Sequence, residues 1–123
     1  MLGPASLARF RAPAAVFVVC AAVYVAALGR RALGPSDNAH FVNLAQSFLA
    51  GQVSVIGDRP PGYNDWAFYG GKWYVSFPAF PAVVILPVVA IWGERTRDPL
   101  VWAIVAGLGP ALLYVLLRKL REL

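Results

Sequence analysis

Three side chains in this chain have the chemistry to move a proton or hold an ion: Asp37, His40 and Asp65. Asp37 stands shortly after a long apolar run, at the mouth of an amphipathic stretch. A carboxylate there can take a proton from an acceptor hydroxyl, or hold a divalent cation beside a phosphate. It can equally cap a helix and favour its positive N-terminus. His40 lies three residues on and would share a helix face with Asp37. One Asp–His pair is too little to specify a metal site, and a hydrogen-bonded surface histidine is the ordinary outcome. Asp65 follows Asn64, where an Asx-type turn is the plain expectation. The sequence has no GxGxxG, Walker loop, CxxC or HExxH, and a single histidine gives no basis for a Ser-His-Asp triad.

These residues sit in a polar, aromatic insert, residues 30–73, between runs fit for lipid. Connections this long are usually functional or disordered, and this one is too aromatic and patterned for disorder. Within it, residues 37–50 predict an amphipathic helix. Phe41, Leu44, Ala45, Phe48 and Leu49 recur at helical spacing, Ser36 or Asp37 can cap its start, and Gly51 suits a left-handed C-cap. Such a stripe beside a membrane predicts a helix lying in the interface. Residues 53–56 are too short to assign. Residues 57–64, with Pro60, Pro61 and Gly62, read as loop. Trp66–Tyr69 and Lys72–Val75 flank Gly70-Gly71, a β-hairpin signal. Trp66, Tyr69, Trp73 and Tyr74 could anchor at the headgroups, or form a wall for a sugar ring or an isoprenoid tail.

The rest of the chain predicts a membrane setting. Of 123 residues, 59% are hydrophobic, with a mean hydropathy of +0.63, above the roughly 45–50% apolar content of soluble domains. Three runs carry the excess and predict spans at 12–29, 74–92 and 99–118. The first is read as a signal anchor, because Leu28-Gly29-Arg30-Arg31 is a poor cleavage region. Pro87 and Pro110 should break the second and third spans, freeing the carbonyls of Val83 and Ala106. The net charge of +5 gathers at run ends, which suits anionic headgroups and argues against nucleic acid. With three spans, positive-inside counting prefers an N-terminus outside. Cys20 lies alone in the first run and reads as an apolar filler.

The order of elements resembles the N-terminal part of GT-C-type membrane glycosyltransferases. The nearest group is the family 39, dolichyl-phosphate-mannose-protein mannosyltransferase-like bacterial proteins. The likeness runs from Arg30 to Gly93. Ser36-Asp37, Asn64-Asp65-Trp66 and Trp73-Tyr74-Val75-Ser76-Phe77-Pro78 carry it, followed by Ala79 where relatives often have a second proline. It implies an enzyme using a polyprenyl-phosphate-linked sugar, with an acidic residue of the first extracytoplasmic loop at the catalytic centre. By position that residue maps onto Asp37. The resemblance also implies an extracytoplasmic insert, against the charge count. Family members have many more spans, so the chain is expected to be a fragment, a truncated reading frame or a split module.

The resulting expectation is an all-α membrane protein forming one module over residues 1–123. It has three transmembrane helices, an interfacial amphipathic helix and a short β-hairpin in the first loop. Its function would be sugar transfer from a lipid-linked donor at the extracytoplasmic face of a prokaryotic plasma membrane. Asp37 would be catalytic, His40 and Asp65 helpers, and the four aromatics a substrate or lipid wall. The residues identify no definite cofactor, though Asp37 could hold a divalent cation. Partners would be membrane lipid, the polyprenyl-phosphate sugar and the remainder of the transferase. The alternative is a small non-enzymatic membrane scaffold or partner subunit that docks through the helix and hairpin.

Overall fold

A computed structural model describes residues 4–57 and 65–123, with side chains in the first helix from Phe10 onward. The predicted loop around Pro60, Pro61 and Gly62, and Asn64 of the family motif, lie outside the described residues. The fold is mostly helical. The first helix, α1 (Pro4–Leu28), runs into a 3-10 turn at Gly29–Leu33. Then come α2 (His40–Leu49), β1 (Trp66–Tyr69), β2 (Lys72–Val75) and α3 (Phe80–Trp92). A 3-10 turn at Gly93–Arg95 leads to α4 (Asp98–Ala106) and α5 (Leu108–Leu120). The chain divides into two compact units. One joins α1 to the segment Leu100–Leu123, and the other is Leu33–Pro99.

In the first unit α1 packs on α5. The contact rests on small residues. Ala103, Gly107 and Ala111 recur every four residues, and Ala21, Ala103 and Ala111 are buried. A Cβ on Gly107 would come within 3.0 Å of the Ala21 Cβ and 3.1 Å of the Phe17 carbonyl oxygen. Close backbone approach through small residues is the usual way helices associate in lipid, where apolar burial drives little. Gly107 also separates α4 from α5, donating its N–H to the Ile104 carbonyl at 3.1 Å. The expected break in the last run therefore falls at Gly107, and Pro110 sits in the first turn of α5, where proline is tolerated.

Among the described residues two segments are long and apolar enough to cross a membrane, Phe10–Leu33 and Asp98–Leu120. Their apolar side chains largely face outward: Val18, Val19 and Val23 on α1 and Leu112, Leu113 and Leu116 on α5 are exposed. The third expected span, 74–92, does not form. Tyr74 and Val75 belong to β2, and helix begins only at Phe80, with Pro81 in its first turn. The thirteen residues of α3 reach roughly 20 Å at 1.5 Å per residue. The hydrocarbon core is about 30 Å thick. Hydropathy counted the aromatic end of a strand as lipid-spanning helix. Pro87 lies within α3 without ending it.

In the second unit α2 packs on α3. Ala82, Ile85 and Val89 form the buried stripe of α3, and Val42, Leu44 and Ala45 are buried on α2. The helix expected to lie in the interface thus meets protein along its buried side. It also starts later than expected. Ala39 is its N-cap, with no side-chain cap, so neither Ser36 nor Asp37 caps it. Its end follows the sequence. Gly51 is left-handed at φ 75°, its N–H reaches the Phe48 carbonyl, and the Gln52 N–H reaches that of Ser47. That pair of bonds is a Schellman motif. The hairpin has the expected bounds, and its register sets Trp66 opposite Val75 and Phe68 opposite Trp73. Gly70 and Gly71 both have positive φ, as a type I′ turn requires.

Candidate functional site

The candidate site lies within Leu33–Pro99. It is built around the short turn before α2, which is pinned on both sides of Asp37. On one side, the Ser36 N–H donates to Asp98 Oδ1 at 2.8 Å and the Ser36 hydroxyl to Asp98 Oδ2 at 2.5 Å. Asp98 is buried. It is placed by the turn before it, where the buried Thr96 donates its hydroxyl to the Gly93 carbonyl at 2.7 Å. On the other side, the Asn38 carbonyl accepts the His40 N–H at 2.9 Å and lies 3.0 Å from His40 Nδ1. Between these anchors the Asp37 side chain is exposed. It makes no hydrogen bond or ion pair among the described residues. The backbone is fixed while the carboxylate meets solvent, an arrangement open to an incoming hydroxyl or cation.

His40 is placed differently from the expected helper. It is the first residue of α2 and is buried. Its ring stacks on Trp66, with centroids 4.4 Å apart and planes at 29°. The edge of Phe77 meets it at 5.3 Å. Phe77 also touches Phe41 at 6.0 Å. His40 therefore ties α2 to the start of the hairpin and to the lead-in of α3. Asp37 lies outside the helix, so the shared helical face expected for the two does not exist.

Asp65 precedes β1 in a left-handed conformation, φ 70°. Its carbonyl accepts the Ser76 N–H at 3.3 Å, closing the open end of the hairpin, and its side chain is exposed. A non-glycine residue at positive φ is uncommon, and Asp and Asn are the types that tolerate it best. This serves the hairpin before any chemistry.

The four aromatics divide between two faces. Side chains alternate along a strand, and residues directly opposite share a face. By the register, Trp66 and Trp73 lie on one face, with Phe68 between them packed on Trp73 at 4.8 Å. Tyr69 and Tyr74 lie on the other. A single wall of all four is excluded by the pleat. The Trp66 face also carries a buried indole Nε1 without a hydrogen-bond partner. Buried donors normally find an acceptor. The hairpin is further tied down where the Val55 N–H donates to the Trp73 carbonyl at 2.8 Å.

Among the described residues no three His, Cys, Asp or Glu side chains cluster as metal ligands. A cation at Asp37 would therefore not find two further such side chains around it among those residues. Asp98 is the participant that sequence reasoning missed. Its signal was the pair Asp98-Pro99, an acid followed by proline at a helix start, but nothing in the sequence pointed to Ser36 as its partner. No family model, curated protein or solved structure matches this chain.

Proposed function

We propose that this chain is the N-terminal module of a membrane glycosyltransferase drawing on a polyprenyl-phosphate-linked sugar. Transfer takes place at the extracytoplasmic face of a prokaryotic plasma membrane, and Asp37 is the base or orienter for the acceptor hydroxyl. The observation that carries the reading is the pinned turn: a solvent-facing carboxylate on a backbone held by Ser36–Asp98 and Asn38–His40. Preorganised groups are what acid–base catalysis needs, and a base in reach of its proton is typically worth about 10²–10⁴-fold. The resemblance over residues 30–93 supplies donor class and face. Further membrane helices supply the rest of the donor site, so the 123-residue chain by itself turns over no donor.

Two spans put both ends of this segment on one side of the membrane. The resemblance makes that side the cytoplasmic one. That side holds Arg9, Arg11, Arg118, Lys119 and Arg121, against Arg30, Arg31, Arg59, Lys72, Arg95 and Arg97 outside. The basic tail, outside in a three-span arrangement, falls inside under this reading. The outer connection exceeds the roughly 60 residues within which positive-inside counting is reliable. The conflict between charge and resemblance thus loses most of its force.

A second reading is a non-enzymatic partner subunit, favoured by the exposed Phe68 and Tyr69 at the hairpin tip. Sugar transfer in membranes carrying Asp37→Asn separates the two. The enzyme reading requires loss with normal protein level, whereas a docking subunit tolerates Asp37→Asn and fails with Tyr69→Ser.

A further inference from the structure

We propose that the paired ends of α1 and α5 form a binding site for the headgroup of an anionic glycerophospholipid. A cleft of about 300 Å³ opens there, walled by Phe10, Pro13 and Val115 and rimmed by Arg118, Lys119 and Glu122. Pro13 lies within one candidate span and Leu120 ends the other, so a bilayer crossed by both would place the cleft near a span end. The cleft therefore sits where apolar chain gives way to phosphate. Phe10, Pro13 and Val115 offer an apolar floor for the glycerol and first acyl carbons, and Arg118 and Lys119 offer cations to the phosphate. Basic pockets at the ends of membrane helices hold anionic headgroups for this reason.

The ion pairs at the rim are exposed ones. Glu122 lies 3.6 Å from Arg118 Nε and 3.4 Å from Lys119 Nζ. All three side chains are about half exposed or more, and exposed pairs of this kind are weak. Arg121 adds a further positive charge one residue away. A phosphodiester that displaces the Glu122 carboxylate meets Arg118 and Lys119 together. Arginine can take two of its oxygens at once. Glu122 then acts as a built-in competitor for the same cations. The inference needs only the two spans and is independent of the transferase reading.

The test uses the full chain in detergent micelles, measuring bound lipid by native mass spectrometry. Phosphatidylglycerol should be retained over phosphatidylcholine. Each cation near the surface is worth about fivefold in affinity, so Arg118→Gln with Lys119→Gln should lower retention of phosphatidylglycerol by roughly 25-fold. Glu122→Gln should raise it, because the competitor is gone. Circular dichroism confirms that α5 persists in each variant, and Arg30→Gln with Arg31→Gln, at the other end of α1, controls for general charge and should change little. Three results overturn the proposal. These are equal retention of the two lipids, an unchanged or lowered affinity in Glu122→Gln with helix intact, and displacement of the lipid by millimolar inorganic phosphate, which would make the site one for free anions.

Discussion

Ser36 and Asp98, 62 residues apart in sequence, are joined by two hydrogen bonds through the serine N–H and hydroxyl. They hold the turn that carries Asp37 to the start of α4. Asp98→Ala leaves the Ser36 N–H and hydroxyl without their acceptor at a part-buried site. Loss of a buried partner costs about 1–3 kcal/mol. Ser36→Ala keeps the backbone bond and should cost about 0.5–1.5 kcal/mol. Denaturant unfolding in detergent, followed by tryptophan fluorescence, measures both. Equal, negligible shifts would show that the pair contributes nothing to the fold.

Gly107 and Gly109 form a matched pair for the α1–α5 contact. A methyl on Gly107 meets Ala21 and the Phe17 carbonyl at 3.0–3.1 Å, whereas one on Gly109 meets nothing within 4 Å. Gly107→Ala should destabilise by about 1–3 kcal/mol, the usual cost of overpacking. Gly109→Ala, within α5, should be neutral or gain roughly 0.5–1 kcal/mol from helix propensity. Unfolding titrations in mixed micelles rank the two, and the reverse order would refute the packing.

Two spans and three spans differ at Glu94. In a Cys20→Ala background, single cysteines at Gln52, Glu94 and Leu123, all exposed, can be labelled in intact cells with an impermeant thiol reagent. Gln52→Cys and Glu94→Cys should both label, and Leu123→Cys should not. Labelling at 52 without 94 would restore a membrane crossing by α3.

The hairpin was legible because glycine pairs at a two-residue turn dictate local geometry, and the end of α2 because Gly51 dictates another. The candidate spans at 12–29 and 99–118 followed from apolar length alone. The span at 74–92 failed where local chemistry outweighed hydropathy. Tyr74 and Val75 serve the strand that Gly70-Gly71 starts, and the Phe77-Pro78 lead-in delays the helix to Phe80. The start of α2 failed for a related reason. Ser36 bonds Asp98 instead of capping a helix, a long-range partnership with no periodic trace in sequence. The same holds for His40, whose stacking on Trp66 is invisible until the hairpin folds back.

The pinned turn makes a further demand on stability. Asp37 caps nothing, so both Asp37→Asn and Asp37→Ala should leave unfolding within about 0.5 kcal/mol of wild type, as for surface substitutions generally. A larger loss in Asp37→Ala would restore a structural role to the carboxylate.

Under the proposed function Asp37 is the base or orienter for the acceptor hydroxyl, and transfer activity at constant protein level reads that role. The measurement is sugar transfer from a polyprenyl-phosphate-linked donor, in native membranes from cells carrying Asp37→Asn in place of the wild-type residue. Those membranes contain whatever further helices the reaction needs. A catalytic Asp37 requires a fall of about 10²–10⁴-fold, the worth of a general base, with unchanged folded protein. Wild-type rates in Asp37→Asn membranes would contradict it.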